Sequence, residues 1–223
     1  MTTPPDLPLV HLVQPARALG PTPPPLVVLL HGLGADEHDL FALAPHLDPR
    51  AVYVSVRAPV RWPPGYAWWR SDETPAGRVP DLEQARAARE TVRALLDAAS
   101  RAYGADRART YLVGFSQGAM LAAAFALESP HEVAGVALLS GKLLPDALAH
   151  RAADADLRGL AVYAQHGTRD PVLPIADGRA LRDALARTPV DLVWHEWPMA
   201  HEITRPSLDA LSGWLRERLS APR

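Results

Sequence analysis

Tyr111-Leu-Val-Gly-Phe-Ser116-Gln-Gly-Ala-Met120 decides how this chain is read. An apolar strand, 111–113, runs into Gly114-x-Ser116-x-Gly118, and an Ala/Leu-rich helical stretch, 119–127, follows. A strand, a sharp turn and a helix around Gly-x-Ser-x-Gly lift a serine hydroxyl clear of the backbone. The glycines leave room for a strained turn and for close approach of helix to strand. A serine hydroxyl is a poor nucleophile at neutral pH, so a base must take its proton. Ser116 is the candidate nucleophile, and its partners should lie on neighbouring turns.

Working outward, near-continuous apolar runs recur at 26–30, 52–56, 133–139, 160–165 and 190–197, with a candidate edge strand at 9–13. Runs of this kind suit strands buried on both faces. Helical patterns lie between them. The clearest spans 81–103, where Leu82, Ala85, Ala88, Val92, Leu95, Leu96, Ala99 and Tyr103 form a stripe at helical spacing. Asp81 with Gln84 reads as its N-terminal cap and Gly104 as its stop. Further helices are expected at 176–187 and 206–219, and a shorter one at 36–47. Strands alternating with helices predict an α/β fold with a mostly parallel central sheet flanked by helices.

A serine nucleophile needs a histidine base and usually a carboxylate to orient it. In α/β-hydrolases, whose nucleophile turn this Gly-x-Ser-x-Gly segment resembles, the three come in the order serine, acid, histidine. His201 follows the last strand and precedes the last helix, in a loop at the carboxyl edge of the sheet, where open α/β folds build their sites. His131, His150 and His195 lie too early or within helical or strand stretches. Asp170, in His166-Gly-Thr-Arg-Asp170-Pro, stands on a turn just past the strand 160–165, within reach of an imidazole. A tetrahedral intermediate also needs N–H donors for its oxyanion. Gln117 supplies one amide at a helix N-terminus. Leu33, in the Gly-rich turn after strand 26–30, supplies the other.

Composition narrows the classes. With 223 residues, 48% of them hydrophobic, the chain fits one domain with a sizeable core. Its net charge of −2 is spread along the sequence, which points away from nucleic acid. It has no cysteine, so disulfides and thiolate chemistry are excluded. His31, Asp36, His38, Asp39 and His46 match no metal-ligand spacing, so neither metal nor cofactor is expected. No apolar run approaches a membrane span, and the first eight residues do not read as a signal peptide, so a cytoplasmic protein is expected. One segment, 57–80, shows neither period. Prolines and glycines break it repeatedly, yet it carries Trp62, Tyr66, Trp68 and Trp69. An aromatic loop over the site is expected there.

These pieces together resemble the phospholipase/carboxylesterase family of α/β-hydrolases, which includes bacterial carboxylesterases and acyl-protein thioesterases. The stretches that carry the resemblance are LLHGLGADEHDL (29–40), VRAPVRWPPGYAWW (56–69), GFSQGAM (114–120), LSG (139–141), HGTRDPVLP (166–174) and MAHEI (199–203). The resemblance implies a single α/β-hydrolase domain over 1–223 without a separate cap domain. Residues 1–25 would form the edge strand and a Pro-rich connector. It implies Ser116, Asp170 and His201 as a triad, with Leu33 and Gln117 as the oxyanion hole. The segment after LSG would border an acyl pocket, and Trp68, Leu143, Leu144 and Met199 are the candidate substrate contacts. The expected partner is a small-molecule acyl ester of short to medium chain in a shallow groove; the alternatives are a thioesterase or lysophospholipase on longer acyl chains and, from a different class, a catalytically inactive binding protein of the same fold. The resemblance further implies a monomer or homodimer.

Overall fold

The structure is a computed structural model that describes residues 7–75 and 77–220; the first six and last three residues of the expected domain lie outside them. In chain order the strands are β1 (His11–Gln14), β2 (Pro25–Leu30), β3 (Val52–Val56), β4 (Val60–Trp62), β5 (Gly65–Ala67), β6 (Ser71–Thr74), β7 (Gly77–Pro80), β8 (Asp106–Phe115), β9 (Gly135–Leu139), β10 (Ala161–Gly167) and β11 (Asp191–Trp197). The helices are α1 (Glu37–Phe41), α2 (Leu82–Tyr103), α3 (Gln117–Glu128), α4 (Asp154–Leu157), α5 (Ile175–Leu185) and α6 (Arg205–Ser220).

Seven strands make one sheet in the order β1-β3-β2-β8-β9-β10-β11. β1 pairs with β3 antiparallel at one edge, and the other neighbours pair parallel. Each buried strand feeds both faces, because successive side chains point opposite ways. In β2, Leu26, Val28 and Leu30 join the cluster with Val92, Leu96, Leu121 and Phe125 of α2 and α3. Val27 and Leu29 join the opposite cluster, with Leu40 of α1 and Leu211, Trp214 and Leu215 of α6. This is the α/β-hydrolase architecture, and no separate cap domain occurs among the described residues. Nor is any helix among them long and apolar enough to cross a membrane.

Strand order reverses direction between β2 and β8. Earlier strands add outward on one side of that point and later strands on the other. The loops leaving β2 and β8 therefore diverge and open a crevice at the carboxyl ends of the strands, where ligands of open α/β sheets bind.

The expected helix at 36–47 is shorter than its pattern. α1 ends at Phe41 and a separate 3₁₀ turn covers Ala44–His46. Pro45 has no N–H for a continuing helix. Residues 57–80 also depart from the irregular loop expected of them. They form two short antiparallel hairpins, β4–β5 and β6–β7. Three or four residues per strand are too few for a period to show.

Helix α2 starts and stops as its sequence predicts. The Asp81 carboxylate accepts from the Gln84 amide at 3.0 Å, and Gly104 ends the helix in the left-handed region at φ 59°. Replacing the cap by Asp81→Ala is expected to cost about 1 kcal/mol, because one buried-end donor loses its acceptor. Chemical denaturation of the pair checks this, and equal midpoints would refute the cap.

Candidate active site

The turn between β8 and α3 is set by steric necessity. A Cβ on Gly118 would stand 2.0 Å from the Leu30 carbonyl oxygen, and one on Gly114 would stand 2.3 Å from the Gly118 oxygen. Only glycine lets the first turn of α3 press onto the ends of β8 and β2. Ser116 between them takes φ 52°, ψ −113°, a conformation that a side chain resists and that surrounding packing must enforce. Its amide donates to the Leu139 oxygen at 2.9 Å. Its hydroxyl does not cap α3. The side chain lines a cleft of about 1000 Å³ at the crevice.

Asp170 and His201 meet across two adjacent loops. Beyond the β10–β11 pairing, Thr168 N–H donates to Trp197 O at 2.8 Å and Arg169 N–H to Met199 O at 3.1 Å. Gly167 permits this, since a Cβ there would sit 2.4 Å from the Met199 and Ala200 oxygens. The Asp170 Oδ1 atom accepts from the amides of Val172 and Leu173 at 2.8 and 2.9 Å. Oδ2 is left for the His201 Nδ1–H, at 2.6 Å. That bond fixes the imidazole tautomer and leaves Nε2 with its lone pair. The ring packs on Phe115 with centroids 4.8 Å apart and lines the cleft with Ser116. His166, fully buried below, donates from Nε2 to the Leu173 oxygen at 2.8 Å and so braces the Asp170 turn.

Leu33 and Gln117 both line the cleft. Neither amide donates to an acceptor among the described residues. Gln117 N–H opens α3, where the helix dipole favours negative charge. The Leu33 loop is pinned by the β4–β5 hairpin. Gly34 N–H donates to Tyr66 O at 2.8 Å and Tyr66 N–H to Ala35 O at 2.9 Å. Below it, Glu37 is held by Arg57 through two hydrogen bonds, at 2.5 and 2.6 Å.

Two contacts here were invisible in the sequence. The Gln117 side chain clamps the neighbouring segment: its Oε1 accepts from Trp68 N–H at 2.9 Å, and its Nε2 donates to Trp69 O at 3.0 Å. His31 ties the end of β2 to β3 by donating from Nδ1 to Gly32 O at 2.7 Å and accepting at Nε2 from Ala58 N–H at 3.0 Å.

Of the candidate substrate contacts, Leu143 and Leu144 line the cleft, whereas Trp68 and Met199 do not. Trp68 turns inward, with its indole N–H on the His31 oxygen at 3.0 Å. Trp69 lines the cleft instead, although it too is only 2% exposed and belongs to the core. A run of two tryptophans does not tell which one reaches the cleft. The cleft is also roomier than a shallow groove. Asp36, Glu37 and His38 place ligand atoms within 4.8 Å of one another. Both Glu37 oxygens are already held by Arg57, and Asp36 Oδ1 accepts from the His38 amide.

The chain matches the phospholipase/carboxylesterase family over residues 20–219. It is 33% identical over 170 residues to acyl-protein thioesterase 1 of Eremothecium gossypii, covering 69% of each chain. It is 27% identical over 206 residues to the putative hydrolase MhqD of Bacillus subtilis, covering 87% of this chain and 94% of that one. Among solved structures it is similar to the Bacillus cereus carboxylesterase, with a TM-score of 0.82, 25% identity and 94% coverage of both.

Two outcomes follow from this geometry. Gly118→Ala is expected to destabilise the protein by about 4 kcal/mol or more, since backbone and not a flexible side chain stands in the way. A thermal melt unchanged from wild type would refute the packing. The second concerns His31. Burial holds its pKa below 6.5. Unfolded chains then bind more protons than folded ones as pH drops below about 6.5, so its contribution is complete above that pH and is lost on acidification. The stability gap between wild type and His31→Gln should therefore narrow from pH 7.5 to pH 5. Urea titrations showing a constant gap would refute this role.

Proposed function

The chain belongs to the phospholipase/carboxylesterase family, and from that premise we propose that it is a serine carboxylesterase acting through an acyl-enzyme on Ser116. The observation that carries this reading is the 2.6 Å bond between His201 Nδ1 and Asp170. It leaves Nε2 as the base in the same cleft as a strained serine.

Ser116 Oγ attacks the ester carbonyl while His201 Nε2 takes its proton. The Leu33 and Gln117 amides receive the oxyanion. His201 then gives its proton to the leaving alcohol, and Asp170 stabilises the imidazolium. Water repeats the sequence on the acyl-enzyme. Every proton moved is accounted for by these side chains. Met120, Leu143, Leu144 and Trp69 supply apolar wall for the acyl chain. With no cap domain among the described residues to enclose a long tail, short to medium acyl esters are the preferred class.

A second reading is supported by one comparison and one dimension. The relative from Eremothecium gossypii is a thioesterase by name. A volume of about 1000 Å³ lies at the upper end of small-molecule sites, about 300–1,000 Å³. Thioesters and oxoesters use the same nucleophile and the same oxyanion amides, so longer acyl thioesters fit the chemistry equally.

Turnover of p-nitrophenyl esters from C2 to C12 tests both. The expected optimum lies at about C4 to C8. Ser116→Ala is expected to lower kcat by about 10⁵, and Asp170→Asn by about 10⁴. Ser116→Ala turning over near the wild-type rate would overturn the proposal. An optimum at the longest chain, with a higher kcat/KM for the matched thioester, would favour the second reading.

A further inference from the structure

We propose that Lys142 forms an anion subsite in the cleft, so that the preferred substrates are esters carrying a carboxylate close to the scissile bond. This inference rests on the serine-esterase reading of the same cleft. The sequence has 23 basic side chains, and Lys142 is the single lysine among them. That one ammonium stands in the wall of the cleft that holds Ser116 and His201.

Its position is fixed by the chain before it. A Cβ on Gly141 would stand 2.7 Å from the Ala119 Cβ, so this loop lies flat against the first turn of α3. Lys142 therefore leaves the backbone beside the nucleophile turn. It is half-buried and lines the cleft together with Leu143, Leu144 and Met120. Among the described residues it makes no ion pair and no side-chain hydrogen bond.

The other charges of the cleft do not answer it. Glu73 and Arg78 satisfy each other at 2.6 Å across one hairpin. Asp39 belongs to α1, beyond the end of β2, whereas Lys142 follows β9. With β8 between those strands, their ends are separated by about 10 Å. Asp177 lies in the first turn of α5, where helix amides already favour its charge. Neither carboxylate comes within 4 Å of the ammonium.

A half-buried cation without an ion-pair partner is costly unless an opposite charge arrives. A neutral ester brings none. A carboxylate on the ester does, and it gains an attraction strengthened by the partly dry cleft. Lysine suits this task. Its three donors on a flexible stem accept a carboxylate at several positions, whereas arginine fixes a bidentate geometry. The anion can be attached on either side of the ester bond.

Two matched pairs of substrates decide the matter. One pair carries the charge on the acyl side: mono-p-nitrophenyl adipate against its methyl ester. The other carries it on the alcohol side: 3-carboxy-4-nitrophenyl butyrate against its methyl ester. In at least one pair the acid is expected to have about tenfold higher kcat/KM at low ionic strength, falling towards parity at about 0.5 M salt. The ratio should collapse to about one or below in Lys142→Met and survive in Lys142→Arg. Residual hydrolysis of the methyl esters reports that the variants are folded. Methyl esters cleaved as fast as the acids in both pairs would overturn the inference, as would a preference that persists in Lys142→Met. In either case Ser116-dependent hydrolysis of the neutral esters would leave the esterase reading standing. No Ser116-dependent hydrolysis of any of the four would overturn both.

Discussion

The site depends on one steric fact, that the first turn of α3 rests directly on the last carbonyls of β2. The gap at Gly118 has no room for a methyl group, and Gly114 closes the same contact from the strand side. Because the helix cannot stand off, its first amide opens beside the loop that leaves β2. Leu33 and Gln117 thus line one cleft although they lie 84 positions apart in the chain. The same closeness explains why α3 is buried almost all round. It is enclosed by the sheet on one side and α2 on the other, so it reads as uniformly apolar where α2 reads as a stripe.

Loops that carry chemistry are ordinarily the mobile part of a fold. Here each is tied down by a neighbour's polar atoms. The β4–β5 hairpin extends the backbone pairing onto the loop after β2. Gln117 does with a side-chain amide what a strand would do with its backbone, holding both a donor and an acceptor of the Trp68–Trp69 segment. The Asp170 carboxylate spends one oxygen on its own turn and the other on His201. In the mechanism proposed for this cleft, preorganisation of this kind would let the amides stabilise developing charge without moving first.

The strands were legible because a parallel sheet covered on both faces leaves long apolar runs, as at 26–30 and 52–56. Helix α2 was legible because one amphipathic face repeats over six turns between a carboxylate cap and a glycine stop. Positions of Ser116, Asp170 and His201 at strand ends followed from those runs, and the structure brings the last two into contact. What escaped has a common cause. Short hairpins in 57–80, the inward turn of Trp68, and the Gln117 and His31 clamps are all settled by contacts between segments distant in sequence. A local pattern carries no record of them. Pro45 is the exception: its cost to a helix at 36–47 could have been counted from the sequence.

The solitary lysine has a practical side. Succinimidyl esters and carbodiimide coupling, the usual routes for attaching dyes or tethering a protein to a sensor chip, seek primary amines. In this chain the only side-chain amine stands inside the cleft wall. Apart from the α-amino group, such a reagent would therefore mark, or plug, the very groove under study, while the guanidinium groups of the many arginines would pass unmarked.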